Sequence, residues 1–385
     1  MPVGDRVHSL TPRKEMCEGA RKLRDAYDSV PGSPLYQTEF GGGYFFTRDR
    51  WRDEGMPPDA DLAELFRYDP PGEHVIPAAL GDNILFPHFR ECVLEERGEH
   101  EVVGDKLGRK LLCFKGRREG FMPKYIGHQV KDRTTWEENV KWRLDPGSAG
   151  RAEGLDLHMD EARKAAACGM IVTESFDGAF MFLRGLFGSV ELLYAFYDMP
   201  DVIEDCMAAW FAVIDATIGR HQRHVTIDQI QISEDICYKT GPLIAPKMIR
   251  QFLMPCYQQL VANVRRRQPD PGRKLYLHVD TDGRCAPVIP LYREIGMTLM
   301  SPFEVAAGCN VVEMGKEFPW LAMSGGIDKR VLATTPDQID RHLEAILPAM
   351  RKRGGYIPTC DHGVPAEVSY SNYQHYRRRS HEMGE

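Results

Sequence analysis

The sequence predicts an α/β protein folded as a (β/α)8 TIM-type barrel with an elaborated N-terminal region, on three observations. Strand-like and helix-like segments alternate from about residue 161 to the end of the chain, which is typical of a parallel sheet with crossover helices. Three short apolar runs, at residues 230–235, 275–280 and 356–362, each end in residues that can bind a metal. Neither a GxGxxG segment after the first strand nor a Walker sequence is present, so a nucleotide-binding open sheet lacks its usual support.

The first 150 residues are less regular than the rest. Residues 1–150 are interpreted as an elaboration that covers the barrel mouth and contributes the first strand or strands, and residues 151–385 as the barrel body of a single structural domain. Within the elaboration, residues 101–105 and 108–114 predict a β-hairpin around a Lys-Leu-Gly turn. The Gly-Gly-Gly-Tyr-Phe-Phe run at 41–46 is either a first barrel strand or a loop that lines the pocket.

The barrel body contains about six strand–helix units. Pro246 suits the first position of a helix, and Gly354 stops a helix that begins near Thr335. With one or two strands from the N-terminal part, the number of strands reaches eight. The predicted strands end near Glu174, Glu234, Asp280, Glu304, Ser324 and Cys360, and the predicted helices cover about 200–221, 246–267, 285–294, 311–318, 335–353 and 367 onwards.

Composition indicates a soluble globular protein. The 385 residues are 43% hydrophobic and 27% charged, with a net charge of −7, which argues against nucleic acid and membrane surfaces as partners. No apolar run approaches the length of a membrane span, and the polar N-terminus does not resemble a secretory signal. The ten cysteines form no CxxC pair, as expected for reduced thiols in the cytoplasm.

The ends of the three apolar runs predict one site, because the carboxyl ends of barrel strands meet on one face. The predicted metal ligands are Glu234, His278, Asp280 and Cys360, and Glu234, His278 and Cys360 are the predicted catalytic residues. Carboxylate, imidazole and thiolate groups together suit Zn²⁺ with an open position. Other interpretations stay open: a structural histidine, a cysteine that fills the core, and a Glu234 that caps a helix or forms a salt bridge.

Further residues are predicted to bind substrate around this face. Gly326 lets the backbone approach a ligand closely, and Asp328 follows it. Tyr238 lies in a loop over the same face. Aromatic side chains near residue 45 suit either a pocket for an aromatic substrate or packing in the core. The complete predicted set is Tyr44, Phe46, Asp235, Tyr238, Gly326, Asp328 and His362.

The serial order of several segments resembles the uroporphyrinogen decarboxylase superfamily. The resemblance covers roughly residues 160–385 and implies a barrel with its pocket at the carboxyl ends of the strands. The segments that carry it are 233–235, 241–246, 277–283, 324–328 and 354–365.

Two branches of that superfamily imply different chemistry. The decarboxylases carry an N-terminal Arg-Gln-Ala-Gly-Arg motif that holds propionates, and residues 41–50 offer only Arg48 and Arg50. The corrinoid-dependent methyltransferases bind zinc through His-x-Cys and a distant cysteine. His278 and Cys360 match that pattern, and Asp280 replaces the nearer cysteine.

The leading hypothesis is a zinc-dependent methyltransferase. It would move a methyl group between a small molecule, such as an O-methyl ether, and a corrinoid carried by a partner protein, because the chain lacks the Asp-x-His-x-x-Gly corrinoid segment. One alternative is a lyase or decarboxylase that acts without metal on a carboxylated substrate. Another is a barrel without catalytic activity that binds a ligand or a corrinoid protein.

Overall fold

The computed structural model describes residues 16–39, 45–79, 84–116, 123–153, 155–268 and 274–385. Its strands in chain order are β1 (Glu73–Ala79), β2 (Cys92–Arg97), β3 (His100–Gly104), β4 (Lys110–Phe114), β5 (Lys124–Gly127), β6 (Ile171–Asp177), β7 (Gln229–Ser233), β8 (Cys237–Tyr238), β9 (Gly241–Pro242), β10 (Tyr276–Asp280), β11 (Leu299–Ser301), β12 (Ala322–Ser324) and β13 (Tyr356–Ile357).

The helices fill the intervals between these strands. They are α1 (Glu18–Tyr27), α2 (Phe45–Asp53), α3 (Leu62–Leu65), α4 (Arg133–Thr135), α5 (Gly150–Glu153), α6 (Leu155–Ala167), α7 (Ala179–Phe187), α8 (Glu191–Asp198), α9 (Pro200–His221), α10 (Pro246–Met248), α11 (Met254–Arg267), α12 (Ile289–Arg293), α13 (Val311–Glu317), α14 (Lys329–Leu332), α15 (Pro336–Arg353) and α16 (Tyr370–Gly384). Single π turns occupy Trp136–Val140 and Ile249–Leu253, and 3-10 turns occupy Lys141–Leu144 and Val305–Ala307.

In the described part of the chain, seven parallel strands, rather than the eight predicted, form the central sheet in the order β1-β6-β7-β10-β11-β12-β13. Glu73 of β1 and Ile357 of β13 line the same cavity, so the two ends of the sheet curve round to face each other. Extended residues 34–39 connect these ends: the backbone N–H of Asp69 donates to the Gln37 carbonyl, and that of Cys360 donates to the Glu39 carboxylate. This arrangement confirms the predicted TIM-type barrel.

The predicted hairpin is confirmed as β3 and β4, which pair antiparallel inside a four-stranded sheet with the order β2-β3-β4-β5. The first barrel strand is β1, and the possibility that residues 41–46 form that strand is wrong for Phe46, which lies in α2. Tyr44 lies outside the described residues.

The barrel strands carry apolar residues on the side that faces the helices. Ile230 and Ile232 of β7, and Leu277 and Val279 of β10, are buried in one apolar cluster with the helices around them. In the described part of the chain no single helix is long and apolar enough to cross a membrane, although α7 and α8, bent by 102°, pass as a pair on length and composition.

Candidate functional site

A cavity of about 330 Å³ occupies the interior of the barrel and is called the inner cavity below. Active sites of barrel proteins lie at the carboxyl ends of the strands, and the ends of β7, β10, β11, β12 and β13 all contribute to this cavity. Its polar lining is Tyr27, Tyr36, Thr38, Glu39, Glu73, Gln231, Ser233, Asp235, His278, Asp280, Asp282, Ser301, Ser324, Thr359 and His362.

The two-residue period of a strand decides which side chains reach the inner cavity. On β10 the even-numbered residues His278 and Asp280 face inward, and Asp282 continues the row. In the paired strand β7, Gln231 lies beside His278 and Ser233 beside Asp280. The strands therefore direct polar side chains into the barrel interior and apolar side chains toward the surrounding helices.

A hydrogen-bonded chain of three side chains lies inside this cavity. The Ser301 hydroxyl is 2.5 Å from Asp280 Oδ1 and 2.8 Å from His278 Nε2. When Asp280 is ionised, Ser301 donates to it and accepts from the Nε2–H of His278. When Asp280 is protonated, it donates to Ser301, and Ser301 can donate to a bare Nε2. This hydrogen-bonded chain can therefore carry a proton on Asp280 or on His278 Nε2.

Burial changes the protonation of both ends of this chain. It lowers the pKa of His278 to about 4, so the imidazole is neutral at ordinary pH. Burial, together with the nearby charges of Asp282 and Asp235, raises the pKa of Asp280 to about 7 against the opposing effect of the Ser301 hydrogen bond. Asp280 is therefore divided between its acid and its carboxylate near neutral pH, the condition under which a carboxyl group works best as an acid or a base.

The pKa values of other carboxyl groups in the cavity are raised as well. Burial raises the pKa of Glu73 and that of Asp282, where the His362 charge opposes the rise. His362 Nε2 is 3.6 Å from Asp282 Oδ2, so this pair joins the loops after β10 and β13 across the cavity. Among the described residues that line the cavity there is no lysine or arginine.

A family model agrees with this architecture. The model described as uroporphyrinogen decarboxylase (URO-D) matches residues 170–383, more than half of the chain. The chain belongs to the URO-D family. No curated protein matches it.

Two solved structures are similar to this URO-D family member. A methyltransferase from Methanosarcina mazei is 15% identical, with a TM-score of 0.53 over 94% of this chain and 98% of that one. A protein described as a vitamin-B12-independent methionine synthase from Listeria monocytogenes is 11% identical, with a TM-score of 0.32 over 58% of this chain and 68% of that one. The first likeness supports the same barrel fold.

Glu234 does not lie in the inner cavity of this URO-D fold. It shares the outward direction of Ile230 and Ile232, and it is completely buried. Its Oε1 accepts the Phe180 backbone N–H at 2.9 Å, and its Oε2 accepts the Tyr257 hydroxyl. These contacts cap the start of α7, whose Ala179 N–H donates to the same tyrosine at 2.7 Å. The capping interpretation of Glu234 fits this geometry.

Cys360 also faces away from the cavity. Ile357 and Thr359 line the cavity, so the next residue points outward, where Cys360 is fully buried in the apolar cluster. Burial raises the pKa of its thiol well above the ordinary value, and the nearby carboxylates Glu39 and Asp361 add to the rise. A thiol in such a place behaves as a small apolar group.

The predicted zinc ligands therefore do not fit a single metal site. His278 and Asp280 share the cavity, whereas Glu234 and Cys360 lie in the layer between strands and helices. In the part of the chain that the structure describes, no group of three or more His, Cys, Asp or Glu side chains is arranged to hold a metal ion.

The residues predicted to bind substrate also divide into two groups. Asp235 and His362 line the inner cavity. Tyr238 is exposed on β8, Asp328 caps α14 through the Arg330 N–H, and a Cβ on Gly326 would lie 2.4 Å from the Val311 side chain. Phe46, in α2, is not among the residues that line the cavity.

Sequence reasoning missed Ser301, Asp282, Glu39 and Glu73. A signal existed for Asp282, because His278, Asp280 and Asp282 alternate with Leu277, Val279 and Thr281. Glu39 and Glu73 carry no such signal, because their segments reach the barrel interior only through tertiary packing.

Proposed function

We propose that this protein is a methyltransferase that moves a methyl group between a small molecule in the inner cavity and a corrinoid carried by a partner protein. Membership of the URO-D family and the likeness in fold to a methyltransferase from Methanosarcina mazei support the proposal. The observation that carries it is the Asp280–Ser301–His278 chain in a cavity whose described lining has no cationic side chain.

This lining suits an uncharged substrate better than a carboxylated one. A site that binds several carboxylates needs arginine or lysine partners, because a carboxylate buried beside other carboxylates is repelled. The inner cavity instead contributes Asp280 and Asp282, and the Arg184 charge next to its third aspartate, Asp235, is already paired with that aspartate. An O-methyl ether has no charge to oppose and has an oxygen that a carboxylic acid can hydrogen-bond.

Asp280 is the proposed general acid for the removal of the methyl group. As the bond between methyl and oxygen breaks, the methyl group passes to the nucleophile and the proton of Asp280 passes to the leaving oxygen, so that an alcohol or phenol is released. The Ser301 hydroxyl then turns its hydrogen from His278 Nε2 to the new carboxylate. A corrinoid on the partner protein would supply the nucleophile when it is bound.

The experiment offers the purified protein a reduced free cobalamin as methyl acceptor, with methanol, methylamine and 4-methoxyphenol as donors. Formation of methylcobalamin is followed by its absorbance, with Asp280→Asn as the matched variant. The proposal expects turnover with an oxygen-bound methyl group and its loss in the variant. Release of carbon dioxide from a carboxylated tetrapyrrole would instead establish the lyase. Failure of every donor, with no difference between the two proteins, would favour a binding protein.

A further inference from the structure

Two buried thiols contact each other where the loops after β10 and β11 pack together. Cys285 lies between β10 and α12, Cys309 lies between β11 and α13, and their sulfur atoms are 3.8 Å apart. These two residues are called the thiol pair below. Neither of them lines the inner cavity, and the proposed methyl transfer uses neither.

The hydrogen bonds of the thiol pair give each thiol hydrogen an acceptor. The Cys309 sulfur is 3.4 Å from the Gly283 carbonyl oxygen, to which its S–H donates. Cys285 can then donate its own hydrogen to the Cys309 sulfur, because a thiol is both a weak donor and a weak acceptor. The two sulfur atoms are therefore in direct contact.

Main-chain hydrogen bonds hold the two loops together at this point. The Gly283 N–H donates to Glu304 Oε2 at 2.9 Å, and the Cys309 N–H donates to the Glu304 carbonyl at 3.2 Å. The Arg284 N–H donates to the Tyr238 carbonyl at 3.0 Å. Both loops are thus anchored around Glu304, which fixes the approach of the segments that carry the thiol pair.

The two thiols differ in reactivity. The thiolate is the reactive form of a cysteine. The hydrogen bond from Cys285 lowers the pKa of Cys309 against the opposing effect of burial, and the same contact, together with burial, raises the pKa of Cys285. Cys309 also lies between two exposed residues, Gly308 and Asn310. It is therefore the member that ionises more readily and lies next to an exposed stretch of the chain.

We propose that Cys285 and Cys309 form a reversible disulfide when the protein meets hydrogen peroxide. The Cys309 thiolate attacks one peroxide oxygen, the O–O bond breaks, and a sulfenic acid forms while hydroxide leaves and is protonated to water. The Cys285 sulfur then attacks the sulfenic sulfur, and the departing hydroxyl takes up the Cys285 proton as a second water. Two thiols lose two electrons in total, and one peroxide is reduced to two waters.

The disulfide would act on the inner cavity through the loop after β10. An S–S bond is about 2.05 Å long, so the two sulfur atoms must approach each other by roughly 1.8 Å. Asp282 precedes Cys285 by three residues, lines the inner cavity and lies beside His362. Oxidation therefore strains the segment that carries Asp282, whichever reaction the cavity performs.

The test treats the reduced, folded protein with hydrogen peroxide, alkylates the remaining thiols in denaturant and maps the unreduced tryptic peptides by mass spectrometry. Trypsin cleaves after Arg284, Arg293 and Lys316, so each member of the thiol pair lies in its own peptide, 285–293 or 294–316. The expected product is the disulfide between these two peptides, with two of the ten thiols lost and both restored by dithiothreitol. The same mixture of pairings from urea-unfolded protein would overturn the assignment.

A third buried cysteine competes with this pairing. Burial raises the pKa of Cys237 to about 12, and the nearby Cys309 adds to the rise. A main product that joins Cys237 to Cys309, or no linked peptide at all, would overturn the proposal. The exposed Cys168 provides a matched control, because Cys168→Ser should form the expected disulfide to the same extent as the unmodified protein.

Two serine variants test the order of the steps. Cys285→Ser leaves the Cys309 sulfenic acid without its partner, so dimedone should label Cys309. Cys309→Ser should leave Cys285 unlabelled, and equal labelling of the two cysteines would contradict their assigned roles. The peptide map uses the unmodified protein, so it decides on the disulfide even if a serine variant does not fold.

Discussion

The inner and outer faces of the barrel strands each contain a buried carboxyl group with a pKa of about 7: Asp280 inside and Glu234 outside. Desolvation is the main cause in both. Their partners differ, because Asp280 shares a cavity with Ser301 and His278, whereas both oxygens of Glu234 hold the start of α7. A raised pKa therefore indicates a buried acid, and only access to a cavity indicates a role in chemistry.

The largest expected effect is on turnover at the inner face. Asp280→Asn removes the proposed proton donor and should lower kcat by about 10²–10⁴-fold, the usual contribution of general acid catalysis. The free energy of unfolding should change little, because the amide is neutral like the protonated acid. Steady-state kinetics and denaturant unfolding of the same preparation measure the two effects.

The proposed role of Asp280 also predicts the direction in which kcat changes with pH. A donor with a pKa of about 7 is protonated below that pH, so kcat should fall as pH rises through about 7, toward tenfold per unit. His278, with a pKa lowered to about 4, stays neutral across this range and adds no second step. A rate that is flat from pH 6 to pH 9 would contradict the role of Asp280.

The next effect is on stability at the outer face. Glu234→Ala leaves the Phe180 N–H and the Tyr257 hydroxyl without their buried acceptor and should cost about 2–4 kcal/mol of unfolding free energy. Residual folded protein should retain its affinity for substrate, since Glu234 does not line the cavity. Urea unfolding with a parallel ligand titration checks both statements, and a selective loss of affinity would contradict them.

Glu234→Gln isolates the pH dependence of that stability. The unfolded carboxyl ionises at about 4.5, whereas the folded one keeps its proton to about 7. Its contribution is therefore complete below about pH 4.5, is lost as pH rises to about 7, and is constant above. The slope reaches about 1.4 kcal/mol per pH unit, and the glutamine variant should lack this component.

The smallest effect is expected at Cys360. Cys360→Ala should cost about 1 kcal/mol through lost packing, with zinc content and kcat unchanged, because the thiol faces the helices. Metal analysis of both proteins, with His278→Ala as a cavity control, provides the measurement. Loss of bound zinc in the cysteine variant alone would restore the predicted ligand set and contradict the outward placement of this residue.

The sequence predicted the barrel well in its C-terminal part. Pro200–His221 and Tyr276–Asp280 agree with the predicted helix and strand end, because strong apolar periodicity and caps act locally. Residues 41–46 could not be assigned in the same way. Glycine and aromatic residues suit either a strand or a loop. The first barrel strand, β1, pairs with β6 about 100 positions further on, a partner that local sequence does not reveal.

The candidate site was only partly predictable. The ends of the apolar runs indicated the end of the barrel where the inner cavity lies, yet a residue at the end of a strand can point to either side. The alternation of Gln231 and Ser233 with Ile230 and Ile232 would have excluded Glu234 from the interior. Ser301 could not be found, since its significance depends on the register that aligns it with Asp280.

The contact between Gly178 and Glu234 restricts how this protein can evolve. A Cβ on Gly178 would lie 2.0 Å from the Glu234 carboxylate, so any larger residue there collides with the group that caps α7. A shorter residue at position 234 would remove the contact with the carboxylate but not the 2.9 Å contact with the Cα of residue 234, and the cap would be lost as well. The two positions, 56 residues apart in the sequence, therefore restrict each other, and even a paired substitution would carry a cost.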